Sequence, residues 1–143
     1  MSSELVLDEL TGRSSAGSIA VTAEGGTVTT NLQQGLTKAW VNFNGTGTSA
    51  GATITARDSF NTTSITDVNT GDYTITIANN MANDDYAHAG DSGGTNNSSN
   101  GNVYCNDQGT ARTTTLFRVY TLNSSASPSD PAQVNIMVCG DLA

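Results

Sequence analysis

Positive charge is scarce in this chain of 143 residues. Five Lys and Arg stand against thirteen Asp and Glu, the formal net charge is −8, and Lys38 is the single lysine. A phosphate backbone is bound by cations that displace its condensed counterions, so the composition argues against nucleic acid as a partner and against an anionic membrane surface. Histidine occurs once and cysteine twice, as Cys105 and Cys139. A closed structural zinc site takes about four such ligands, which makes one improbable here. The cysteines either pair across a long loop or stay reduced as small buried hydrophobes. Reduced is the expectation, because no signal peptide is visible: Met1–Glu4 has no positive charge and Leu5–Leu7 is too short for a hydrophobic region. No apolar run approaches the roughly 18 residues of a membrane span, so membrane insertion is not expected. Hydrophobic residues reach only 36%, aromatics 6% and charged residues 13%. A core this thin is marginal by itself, and oligomerisation is the obvious remedy.

Thr, Ser, Asn and Gly fill the deficit, supplying close to half of the chain. Disordered chains combine high net charge with few β-branched residues, whereas this one is rich in Thr, Val and Ile, which favours a folded β-protein. Residues 1–37 read as an N-terminal arm and neck ordered by docking. Leu5, Val6, Leu7 and Leu10 form an apolar cluster, Ser18–Ala23 is a short strand, and Asn31–Leu36 places Leu32 and Leu36 on one face of a helical turn. Residues 38–143 read as the sandwich. Ala39, Val41 and Phe43 share one face of a strand and Trp40 takes the other; Asn44-Gly45 has hairpin chemistry. Asp67–Gly71 reads as a tight turn, and Asp72–Ile77 as a strand with Tyr73, Ile75 and Ile77 on one face. Asp91–Asn102 reads as a polar loop, Arg112–Leu122 as a long strand, and Gln133–Cys139 as a strand with Val134, Ile136 and Val138 inward. Short strands separated by Gly/Asn turns define the expected fold: all-β, an antiparallel, jelly-roll-like β-sandwich with an extended N-terminal arm.

Chemistry-bearing patterns are few. Gly90-Asp-Ser-Gly-Gly94 matches the segment around the nucleophile of chymotrypsin-like proteases, but that mechanism needs a distant histidine, and the only one, His88, lies four residues away. Asp67-x-Asn69-x-Gly71-Asp72 opens like a calcium loop, yet Asp72 and Ala78 occupy the positions that need Gly and Glu. No catalytic residue, cofactor or metal is therefore assigned. A weak calcium site drawing on Asp84, Asp85, Asp91 or Asp107 stays open. Trp40, Tyr73, Tyr86, Tyr104 and Tyr120 are the aromatics that could stack on sugars, although strand aromatics more often serve core or interface.

LDELTGRSSAGSIAVTAEGG, LQQGLTKAWVNFNGTGT and ARDSFNTTSITDVNTGDYTITI together resemble a recurring module of tail-fibre-like virion proteins of bacteriophages, especially cyanobacterial ones. The clearest pieces are Lys38–Phe43, Arg57–Asn61, Gly71–Thr74 and the closing Gly140–Ala143. The resemblance implies a non-enzymatic trimeric appendage, anchored by its N-terminus to other virion proteins of baseplate, tail or capsid, presenting a β-sandwich to the host surface. It implies residence in the virion after assembly in the host cytoplasm, and no catalytic residues. The assembly-interface candidates are Leu5, Leu7, Leu32, Leu36 and Trp40. Alternative expectations are a capsid decoration protein that stabilises the head, and a carbohydrate-binding module whose partner is a surface glycan.

Overall fold

Threonine and β-branched residues in alternating patterns become the strands of an all-β structure. The computed structural model describes residues 5–12, 19–22, 26–27, 29–94, 103–104 and 112–142. It divides into two units, Met1–Leu36 and Thr37–Ala143.

In the first unit, strands β1 (Ala20–Thr22) and β2 (Thr29–Asn31) pair antiparallel, with Val21 opposite Thr30. A single turn of helix, α1 (Leu32–Gly35), follows, and the Leu32 amide donates to the Ile19 carbonyl at 2.9 Å. No described residue of this unit is buried, so it has no core of its own among those residues.

The second unit is an antiparallel sandwich built from β3 (Thr37–Phe43), β4 (Thr53–Ile54), β5 (Ala56–Phe60), β6 (Thr62–Asn69), β7 (Asp72–Ile77), β8 (Ala87–Gly93), β9 (Val103–Tyr104), β10 (Leu116–Thr121) and β11 (Gln133–Cys139). One sheet has the order β4-β6-β7-β10-β9 and the other β5-β3-β11-β8. Between them lie Ala39, Val41, Phe43, Val134, Ile136 and Val138 from the four-stranded sheet, and Ile65, Tyr73, Ile75, Ile77, Phe117 and Val119 from the five-stranded one. Burial of these side chains is the main favourable term, worth about 1.5–3 kcal/mol for each large aliphatic or aromatic group. Phe43 and Tyr73 meet edge-to-face across the sheets, with centroids 5.1 Å apart. His88 turns inward from β8, its ring 5.1 Å from that of Phe117. Tyr86 fastens the end of this core: its hydroxyl lies 2.9 Å from the Thr113 carbonyl and 3.1 Å from that of Leu116.

The chain changes sheet twice within a few residues, from β4 to β5 and back at β6. The return is made at Asn61, whose φ of 55° is the left-handed conformation that Asn tolerates better than most side chains. Its amide nitrogen donates to the Lys38 carbonyl at 2.9 Å and to the Asn79 carbonyl at 3.2 Å, and its side-chain oxygen accepts from the Asn79 amide at 2.6 Å. One side chain thus joins three segments at the corner.

Four local expectations need correction. Asn44-Gly45 does not close a two-residue hairpin. The Asn44 side chain accepts from the Thr46 amide at 3.1 Å, Gly45 donates to the Pro131 carbonyl at 3.0 Å just ahead of β11, and the next strand, β4, belongs to the other sheet. A Cβ on Gly45 would collide with the Tyr73 hydroxyl. Asp67 lies not in a turn but buried in β6, where it accepts from Thr48 Oγ1 at 2.5 Å; the β6–β7 turn is only Thr70-Gly71, with Gly71 at φ 69°. Asp91-Ser92-Gly93 belongs to β8, held in register by β11, and does not begin a loop. The strand expected from Arg112 starts only at Leu116, because Thr113 Oγ1 accepts from the amides of Thr115 and Leu116 in a preceding turn.

Candidate functional site

On the outer face of the four-stranded sheet, aromatic and polar groups converge on a concavity. Alternation along β3 sends Ala39, Val41 and Phe43 inward and leaves Trp40 and Asn42 pointing out. Antiparallel register then decides what stands beside them. Trp40 is opposite Phe60 on β5 and Met137 on β11, and Met137 is opposite Ala89 on β8. Asn42 is opposite Asp58 on β5 and Asn135 on β11, and Asn135 is opposite Asp91 on β8. Two parallel rows result: Phe60–Trp40–Met137–Ala89 and Asp58–Asn42–Asn135–Asp91. Each crosses four strands, about 14 Å at about 4.8 Å per strand, and the rows lie about 7 Å apart.

The first row is apolar and open to solvent. Trp40 is 37% exposed, Phe60 53% and Met137 49%. Three of the four residues in the second row form a directed hydrogen-bond chain. Asn42 Nδ2 donates to Asn135 Oδ1, and Asn135 Nδ2 donates to Asp91 Oδ1 at 2.7 Å. At the other end Asp58 Oδ1 accepts the Ser59 amide at 2.8 Å. A groove of about 670 Å³ is lined by Trp40, Met137 and Ala89 of the first row and by all four residues of the second, while Phe60 stands outside its lining; the lining contains the carboxylates of Asp58 and Asp91 and no cationic side chain.

The other sequence candidates lie elsewhere. Leu5, Leu7 and Leu36 are exposed in the first unit, and Leu32 is half-buried at the start of α1. Of the sugar-stacking candidates, Tyr73 and Tyr86 are core residues and cannot offer a ring face to a ligand; Tyr120 is half-buried on β10; the side chain of Tyr104 lies outside the described residues. Ser92 and His88 share one strand, four residues apart, which separates their backbones by about 13 Å and denies them a nucleophile–base hydrogen bond. Cys139 is half-buried in β11, and Cys105, with the question of pairing, lies outside the described residues. Among the described residues no cluster of His, Cys, Asp and Glu could hold a metal ion, and no helix is long and apolar enough to cross a membrane. Asp107 lies outside them.

Sequence reasoning singled out Trp40 and missed its neighbours Phe60, Asn42, Asp58, Asn135 and Met137. Each occupies an outward position in its own strand, but only the pairing of β5, β3, β11 and β8 makes them one surface. Comparison with known proteins adds no identity: no family model matches the chain, and no curated protein or solved structure shows a significant match.

Proposed function

We propose that this chain is a non-enzymatic structural protein of a bacteriophage virion, a short tail-fibre or adhesin-like trimer. Residues 1–37 dock it to its own copies and to other virion proteins, and the β-sandwich makes the contact with the host surface. The observation that carries this reading is the imbalance between the two units. The sandwich has a closed core, whereas the first unit exposes Leu5, Leu7 and Leu36 at 80%, 52% and 55% and has no buried described residue. A segment that leaves several leucines in water gains stability by covering them, and neighbouring copies in a symmetric assembly offer matching apolar surface. The resemblance of the Lys38–Ile77 region to phage tail-fibre modules supports the same role.

Light scattering on the eluting protein tests it. The expected mass is three times the 14.7 kDa of one chain. Replacing Leu5, Leu7 and Leu36 together by Ser should release monomers whose sandwich melts at an unchanged temperature. A parent protein that is monomeric at tens of micromolar refutes the assembly. Labelled antibody on intact particles locates it, and staining of the head shell would replace the fibre by a decoration protein.

A further inference from the structure

We infer that the groove on the β5-β3-β11-β8 face is a binding site for a neutral saccharide. This rests on the reading of the sandwich as the surface-contact unit and adds to it a ligand class and a site. Sugar rings present one apolar face of C–H groups and a rim of hydroxyls that both donate and accept. The two rows complement that division. Trp40, with Met137 beside it in the groove and Phe60 opposite it on β5, supplies exposed apolar and aromatic surface on which the C–H face of a sugar ring can pack. One strand-residue pair away, Asn42, Asn135 and Asp91 are already locked into a hydrogen-bonded chain, so little side-chain freedom is lost when a ligand arrives. Each Asn amide has a second N–H, and each carboxylate has several acceptor positions beyond the one its internal bond uses. The row therefore offers amide donors at its centre and carboxylate acceptors at both ends, over about 14 Å, enough for a short oligosaccharide.

Charge selects among occupants. Asp58 and Asp91 line the groove without a cation, and the chain carries −8, so acidic sugars and anionic polymers are repelled. A second copy seated face to face would bring four carboxylates together with nothing in the groove to compensate them. A quaternary ammonium group favours aromatic walls on several sides, whereas Trp40 and Phe60 stand side by side in one row.

The sole tryptophan makes the site its own reporter. The labelled full-length protein is applied to an array of neutral, amino and acidic glycans, and the neutral glycans that bind are titrated against Trp40 emission. The expected result is a saturable blue shift with a Kd between about 10 μM and 1 mM. By calorimetry, Trp40→Ala and Asn135→Ala should each weaken binding by about tenfold or more while the melting temperature stays within a few degrees. Phe60→Ala, at a more exposed position outside the groove lining, should weaken binding less than Trp40→Ala. Silence across the neutral glycans overturns the inference, as does preferential binding of acidic glycans, a larger emission shift with choline chloride, or undiminished affinity in Trp40→Ala. Light scattering on the same samples separates the two readings: a trimer that binds no neutral glycan removes only the ligand, and a monomer that binds one removes only the assembly.

Discussion

Replacing Tyr73 by Phe tests whether the sandwich depends on a buried phenol tied to a carboxylate. Tyr73 is fully buried, and its hydroxyl donates to Asp130 Oδ1 at 2.8 Å. The same carboxylate oxygen accepts the Gly71 amide at 2.6 Å, so this bond fixes the Pro128–Pro131 loop against the β6–β7 turn. Phenylalanine keeps the ring and its edge-to-face contact with Phe43, and removes only the hydroxyl. Hydrogen bonds to charged groups contribute about 1.5–3 kcal/mol. Asp130 retains the Gly71 amide and is partly open to water, which places the loss at about 2 kcal/mol, or about 5–8 °C in melting temperature for a domain of this size. A second readout comes from pH. Burial first, and then the neighbouring Asp130 carboxylate, hold the Tyr73 phenol far above its ordinary ionisation range. Its folded pKa is raised, so the associated stability is complete below the unfolded value of about 10 and is lost above it, as the unfolded chain sheds a proton that the folded chain keeps. The slope is about 1.4 kcal/mol per pH unit for this one group, and Phe lacks it. Thermal melts followed by circular dichroism from pH about 8 to about 11 should show the variant clearly less stable at the low end and the gap closing at the high end. A variant that melts within about 1 °C of the parent at neutral pH, or a gap constant across the alkaline range, would refute the reasoning.

Two further perturbations probe other parts of the frame. Arg118 grips Asp72 through Nε at 3.0 Å and through Nη2, with both side chains mostly buried, so Arg118→Met should cost about 3–5 kcal/mol by stranding a carboxylate. The double variant Asp72→Asn with Arg118→Met should recover part of that in urea denaturation, and no recovery would contradict the desolvation argument. Asn61→Ala should cost about 2–3 kcal/mol, combining left-handed strain with lost hydrogen bonds at the sheet corner. Asn61→Gly, free of the strain, should be about 1 kcal/mol milder in the same assay, and equal losses would assign the whole effect to the hydrogen bonds.

The faces of individual strands were legible because alternation is a local property. Ala39, Val41 and Phe43 against Trp40, the inward trio Tyr73, Ile75 and Ile77, and Val134, Ile136 and Val138 all follow from a period of two. Turn chemistry was less dependable. Asn44-Gly45 has hairpin residues, yet Gly45 is packed against the Tyr73 hydroxyl and bonded to the Pro131 carbonyl, and the next strand belongs to the other sheet. Asp67 has the composition of a turn residue but is held inside β6 by Thr48. Asp91–Gly93 resembles the low-complexity segment that follows it, and only pairing with β11 makes it a strand.

The sequence by itself determined the all-β class, the inward and outward residues of its best strands, and the acidic charge balance that the whole chain carries. Tertiary structure alone decided that β3 lies between β5 and β11, and hence that Trp40 has Phe60 and Met137 beside it and a row of Asn and Asp below. The reason is physical. Side-chain direction is set within each strand, but register is set by backbone hydrogen bonds and core packing between segments distant along the chain, and a slip of one residue would turn every one of these side chains to the opposite face.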